Sequence, residues 1–191
     1  MRIIAGEYRS RLLAAPRGMA TRPTSDKLRG TLFNVLGPGI VGQRFADLYA
    51  GSGAVGIEAI SRGAEFVWFA ENAKPAAGAI RDNLRTLKIA AGYALEDRGA
   101  KLLLEALVKK STALDVVFLD PPYEEEREYD ATLGFLGRNA VTLLSKDALV
   151  IAEHGKKKPL AERYGRLVRT RVLEQGEAAL SFYRVEAVVG E

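Results

Sequence analysis

The sequence contains no cysteine and a single histidine, His154. The first absence excludes disulfides and thiolate metal sites, and the second argues against a multi-histidine metal centre, so no metal is expected. No apolar run approaches the roughly 18 residues of a membrane span. The opening Met1-Arg2-Ile3-Ile4-Ala5-Gly6 also lacks the apolar stretch of a signal peptide. These absences lead to the expectation of a cytoplasmic protein, and a monomer is expected separately. Negative charge is scarce at the front: residues 1–29 hold Glu7 and Asp26 against Arg2, Arg9, Arg11, Arg17, Arg22, Lys27 and Arg29. The whole chain is +4, so the basic character belongs to this segment. A local cationic patch attracts polyphosphate backbones.

What is present suits one domain with a small appendage: 191 residues, 48% of them apolar and 27% charged. Short β-like runs alternate with helix-like runs, the pattern of an α/β fold with a mostly parallel sheet covered on both faces. Strands are predicted at Phe45–Tyr49, Phe66–Glu71, Tyr93–Leu95, Leu114–Leu119 and Ala148–Glu153. Helices are predicted at Val55–Arg62, Lys74–Leu87, Ala100–Lys109 and Tyr129–Leu144. At the back, Arg166–Glu174 and Ala178–Val188 flank Gln175-Gly176-Glu177 and read as an antiparallel hairpin. At the front, Arg2–Ile4 and Arg9–Leu13 read as a basic hairpin. Ser25 caps a following helix in which Leu28, Leu32, Val35 and Leu36 share a face, ended by Gly37-Pro38-Gly39. The boundary is placed between residues 42 and 43: a basic appendage at 1–42 and the main domain at 43–191.

Asp47-Leu48-Tyr49-Ala50-Gly51-Ser52-Gly53-Ala54-Val55-Gly56 ends an apolar strand and opens a helix. Its glycines allow a sharp turn and close approach to a ligand. Glu71 closes the next predicted strand, where an acid can accept both ribose hydroxyls. That position suits NAD or S-adenosylmethionine. Asp47 favours the latter, which carries a sulfonium and an ammonium but no phosphate. The cofactor residues are therefore Asp47, Tyr49, Gly51, Gly53 and Glu71.

The strand Leu114–Leu119 runs into Asp120-Pro121-Pro122-Tyr123. Neither proline has an N–H, so the ladder cannot continue and the carbonyl between them can be aimed at a ligand. This suits methylation of a nucleobase amine, whose lone pair is delocalised into the ring. Asp120 can accept one amine N–H and the Pro121 carbonyl the other, favouring a tetrahedral nitrogen. Orientation and electrostatics do the work, without a strong base. Tyr123 offers a ring for stacking.

With Arg2–Gly6, Arg22-Pro23-Thr24-Ser25-Asp26-Lys27, Leu32-Phe33-Asn34, Asp47–Gly56, Glu58-Ala59-Ile60-Ser61-Arg62-Gly63 and Asp120–Tyr123, the chain resembles the bacterial 16S rRNA guanine-N2 methyltransferases of the small ribosomal subunit, D type. The resemblance implies a Rossmann-like class I methyltransferase fold using S-adenosylmethionine and releasing S-adenosylhomocysteine. It implies a guanine substrate (position 966 in the family) within an assembled or assembling small subunit. It assigns Asp120, Pro121, Pro122 and Tyr123 to the target base, Asp47, Gly51 and Gly53 to the methionine part, and Glu71 to the ribose. Leu95-Glu96-Asp97-Arg98 departs from the family pattern, and there Asp97 or a neighbour would meet the adenine amine. Arg2, Arg9, Arg11, Arg22, Lys27 and Arg29 would hold RNA phosphates, or else decorate an exposed helix face. His154 reads as structural and Lys156-Lys157-Lys158 as a solvated turn. Rival readings are a DNA amine methyltransferase, for which the chain has little room for base-by-base readout, and an inactive RNA-binding assembly factor.

Overall fold

A computed structural model describes residues 1–16, 26–122 and 126–187 of the chain. It divides into two compact units, Met1–Leu103 and Leu104–Glu191. Residues 1–42, the expected appendage, fall within the first of these units.

Unit 1 holds α1 (Asp26–Leu36), β1 (Arg44–Leu48), α2 (Ala54–Ser61), β2 (Phe66–Ala70), α3 (Lys74–Thr86) and β3 (Tyr93–Glu96). Its strands run in the order β3-β2-β1 and are parallel, with Phe45 opposite Val67 and Trp68 opposite Ala94. Phe45, Leu48, Val67 and Phe69 are fully buried, which is why these runs are almost continuously apolar. The α1 helix buries Leu28, Arg29, Leu32 and Phe33. The predicted stop at Gly37 becomes one more 3-10 turn, Gly37–Ile40, that buries Ile40.

The front hairpin is reduced to a single antiparallel bridge, Arg2 to Leu12. Backbone bonds still run from the Ile3 N–H to the Arg11 carbonyl and from the Leu13 N–H to the Met1 carbonyl, and other groups of the segment find partners on α2. Glu58 accepts from the Ile4 N–H at 2.8 Å and the Ala5 N–H at 3.0 Å. The Ser61 carbonyl accepts from Glu7 N–H at 2.7 Å, and the Ser61 hydroxyl donates to the Ala5 carbonyl at 2.6 Å. A Cβ at Gly6 would lie 1.8 Å from the Ser61 carbonyl oxygen, so this crossing admits only glycine.

The α4 helix (Ala100–Lys109) contains the division between units. Unit 2 follows with β4 (Leu114–Leu119), α5 (Glu126–Arg138), α6 (Ala140–Leu143), β5 (Leu144–Gly155), β6 (Arg163–Tyr164), β7 (Leu167–Gln175) and β8 (Ala178–Val185). Its strand order is β4-β5-β8-β7-β6. The β4–β5 pair is parallel, whereas β5–β8, β8–β7 and β7–β6 are antiparallel. The helix expected over Tyr129–Leu144 starts earlier and breaks at Asn139, whose side chain bonds back to the Phe135 carbonyl. Among the described residues, no helix is long and apolar enough to cross a membrane.

Candidate active site

The glycine loop in unit 1 joins β1 to α2. The loop is closed by its own acid: Asp47 Oδ2 accepts the Gly56 N–H at 2.8 Å. Gly56 also lets α2 lie against the sheet, since a Cβ there would fall 2.3 Å from the Phe69 ring. Gly51 and Gly53 take φ of +56° and +78°, and Tyr49, beside them, takes +62° without being glycine. Such left-handed strain is of order 1–3 kcal/mol and gathers at ligand-binding turns. A Cβ at Gly51 would meet nothing within 4 Å, so the backbone there faces open space.

Glu71, following β2, is buried and tied to the same loop. Its Oε2 accepts the Gly51 N–H and its Oε1 the Ala73 N–H, each at 2.8 Å. Asp47 is 1% exposed. Burial pushes its carboxyl up to about 8, against the Gly56 hydrogen bond, and the nearby Glu71 charge adds to the rise. At neutral pH Asp47 is therefore largely protonated. Asp97 follows β3, is about half exposed and pairs with Arg81 at 2.6 Å. The adjacent Glu96 engages Arg98 at 2.7 Å, which holds its carboxyl below the usual range.

In unit 2, Asp120 is half-buried directly after β4, Pro121 is buried and Pro122 exposed. Tyr123 lies outside the described residues. The buried Tyr129 hydroxyl donates to the Glu153 carbonyl of β5 at 2.8 Å and shares that hydrogen with the Pro121 carbonyl at 3.2 Å. Tyr129 was expected only as the start of a helix, and no local pattern marks its hydroxyl as a bridge between two strands' ends.

The front cations divide. Arg2, Arg9, Arg11 and Lys27 are exposed, and Arg22 lies outside the described residues. Arg29 requires a correction. Its side chain is 0% exposed, donating to the Arg2 carbonyl and to Asp26 Oδ1 at 3.0 Å, with Glu58 3.8 Å from its Nε. An RNA phosphate cannot reach it. Glu58, to which the sequence reading gave no role, is the hub: fully buried, it also takes Arg62 at 2.8 Å. The available signal was an acid inside the otherwise apolar run Ala54–Ile60.

The family model described as conserved hypothetical protein 95 matches residues 1–184. The chain belongs to this family. The Bacillus subtilis protein YlbH is 37% identical over 184 residues, covering 96% of this chain and 98% of its own. Ribosomal RNA small subunit methyltransferase D of Escherichia coli K12 is 33% identical, over 98% of this chain and 91% of its own. Among solved structures, the Escherichia coli protein yhhF superposes with a TM-score of 0.78 at 31% identity, over 98% of each chain. The Rossmann-like fold expected from the sequence is thus the fold of this chain's relatives along nearly its whole length.

Proposed function

We propose that this chain transfers a methyl group from S-adenosylmethionine to the exocyclic 2-amino group of a guanine in 16S rRNA, within the assembled or assembling small ribosomal subunit. The observation that carries the reading is the Asp120-Pro121-Pro122 turn after a buried parallel strand, with its inter-proline carbonyl fixed by Tyr129. The name of the Escherichia coli relative, a small subunit rRNA methyltransferase matched over 98% of this chain and 91% of its own, supports the substrate class.

The residues in unit 1 fit a cationic nucleoside. The loop backbone at Gly51 faces open space, and a buried acid, Asp47, lies beside a second, Glu71. The anionic phosphates of a dinucleotide would disfavour ionisation of Asp47, whereas a cation favours it. When bound, S-adenosylmethionine would supply an electrophilic methyl carbon that an amine lone pair can attack, with the S–C bond breaking and its electrons staying on sulfur. Glu71 is oriented by two backbone N–H groups, and its remaining lone pairs accept the ribose hydroxyls. Asp47 gives up its proton and offers a carboxylate to the cationic methionine part, with Tyr49, Gly51 and Gly53 shaping the turn. Asp97 receives the adenine amine.

On the base side, the Asp120 carboxylate and the Pro121 carbonyl accept the two amine hydrogens, turning the lone pair out of the ring plane. Tyr123 stacks on the guanine. The amine becomes acidic only once the new N–C bond forms, and its proton then passes to Asp120 or to water. Arg2, Arg9, Arg11, Arg22 and Lys27 anchor RNA phosphates, residues 1–42 forming the RNA-facing part.

The test is label transfer from methyl-labelled S-adenosylmethionine to small subunits, naked 16S rRNA and duplex DNA, with mass-spectrometric mapping of the product. The expected result is one N2-methylguanine in 16S rRNA. Label on DNA alone, or subunit binding without label, would replace this reading with one of its rivals.

A further inference from the structure

Beside the Asp120–Pro122 turn, unit 2 contains a cavity of about 230 Å³ whose wall includes Tyr129, Asp130, His154, Pro159, Leu160 and Tyr164. Its position follows from the sheet. β4 and β5 are parallel with Leu119 opposite Ala152, so the turn after β4 and His154 near the end of β5 emerge at the same side of the sheet. That is where open α/β sheets bind ligands. Tyr129 belongs to both places: its ring lines the cavity while its hydroxyl touches the Pro121 carbonyl.

The cavity is built in advance. His154 Nδ1 faces the carbonyls of Gly155 at 3.0 Å and Lys158 at 3.1 Å, which makes Nδ1 the donor. Nε2 then accepts from the Ser181 hydroxyl at 2.8 Å. This neutral ring pins the loop after β5. Further along, the Tyr164 hydroxyl donates to Asp130 at 3.0 Å and accepts the Ala161 N–H at 3.2 Å. The buried Tyr183 hydroxyl donates to the Ala161 carbonyl at 2.8 Å. The loop from 158 to 164 is therefore fastened at both ends.

The lining selects its occupant. Pro159, Leu160 and the tyrosine rings give apolar faces for a flat ring, and Asp130 gives an acceptor for an amino edge. One carboxylate is too few to hold a metal ion and opposes a phosphate inside. Lys158, exposed on the cavity wall, supplies a cation at the mouth, while Lys156 and Lys157 beside it pair with Glu174 and Glu177. An occupant with a neutral base inside and a phosphate outside is a nucleotide.

We infer that this cavity receives the base of a nucleotide flanking the target guanine in the RNA strand, which rests on the rRNA methylation reading above. The neighbouring base is held while the target amine is presented to Asp120 and Pro121. This gives the enzyme a second point of register that does not depend on the basic front segment.

The test uses short RNA oligonucleotides carrying the mapped methylation site, intact or with a single abasic nucleotide on the 5′ or 3′ side. Binding is measured by fluorescence anisotropy in the presence of S-adenosylhomocysteine. For the wild type, one abasic position weakens binding on the order of tenfold, as expected for loss of a stacked base. Asp130→Ala and Ala161→Trp bind the intact oligonucleotide as weakly as the abasic one, and the abasic change then costs them nothing further. Both positions are exposed, and unchanged thermal unfolding with unchanged cofactor affinity checks that the fold is intact. An abasic penalty of equal size in wild type and variants overturns the inference while leaving the methylation reading standing. So does a defect seen with whole subunits and not with the oligonucleotide, which would assign the cavity to a ribosomal protein. If mapping finds no methylated base in RNA, the methylation reading fails and the inference falls with it.

Discussion

The two halves of the proposed chemistry hold their acids differently. In unit 1, Asp47 and Glu71 are buried, and each is locked by backbone N–H groups of the loop it serves. In unit 2, Asp120 is half-buried at a turn whose prolines donate nothing, and rigidity comes from Tyr129 gripping the neighbouring carbonyl. A permanent cation is best met by buried acids already held in place, one of which, Asp47, ionises as the cation binds. A transient amine needs an acceptor that an incoming base can reach. The first half therefore tolerates little change in its scaffold, and the second little change in its exposed chemistry.

The sharpest challenge to the rigid half is Glu58→Ala. It strands Arg29 and Arg62 and leaves the Ile4 and Ala5 N–H groups without their acceptor, so denaturant unfolding should show a loss of about 3–5 kcal/mol. If unfolding is unchanged, the front segment is not fastened as described. The matching challenge to the other half is Asp120→Ala. Turnover should fall about 10²–10³-fold, the scale for losing one positioned electrostatic partner, while the cofactor Kd measured by calorimetry stays the same. A fully active variant would remove Asp120 from the chemistry.

Glu71→Ala should reverse that split. It removes the proposed ribose acceptor and the partner of two backbone N–H groups, so the cofactor Kd should rise about 10–100-fold with a smaller change in kcat at saturation. Asp47 sharpens the contrast through pH. Its folded carboxyl titrates near 8, so below that pH a cation must displace a proton to bind. Affinity should rise by up to tenfold per pH unit toward about pH 8 and then level off. Calorimetry at pH 7 in buffers of different ionisation enthalpy should find close to one proton released. Asp47→Asn should flatten the profile. The stability of the free protein carries the opposite sign: the folded state binds this proton more tightly than the unfolded one, so stability declines as pH rises from about 4 to 8.

These contrasts were unevenly legible in the sequence. The glycine loop, Glu71 and the Asp-Pro-Pro run could be read because each depends on local chain geometry: a turn after an apolar strand, or prolines ending a ladder. The partner of a side chain many residues away leaves no such trace. Glu58 looked like one acid on a helix, yet its partners are backbone groups 53 and 54 positions earlier. Tyr129 reads as an aromatic in an amphipathic helix, and only the pairing of β4 with β5 brings both carbonyls to its hydroxyl. Charge counting failed at Arg29 for the same reason, since composition registers a cation without telling whether it faces solvent.

Arg29 and Lys27 make the smallest but cleanest test, two cations on one helix in opposite circumstances. Lys27 is exposed, as are Arg9 and Arg11. If each neutralises one phosphate, replacing it with alanine should weaken RNA binding modestly at low salt. It should also reduce the slope of log affinity against log salt by about 0.7–0.9. The three changes should add, because counterion release counts phosphates and not geometry. Arg29→Met, which keeps an apolar stem of similar length, should leave that slope unchanged and register as lost stability instead, since Asp26, Glu58 and the Arg2 carbonyl lose their shared partner. A reduced slope for Arg29→Met with stability intact would mean that this guanidinium reaches the RNA after all, and the separation of the front cations into structural and RNA-facing sets would collapse.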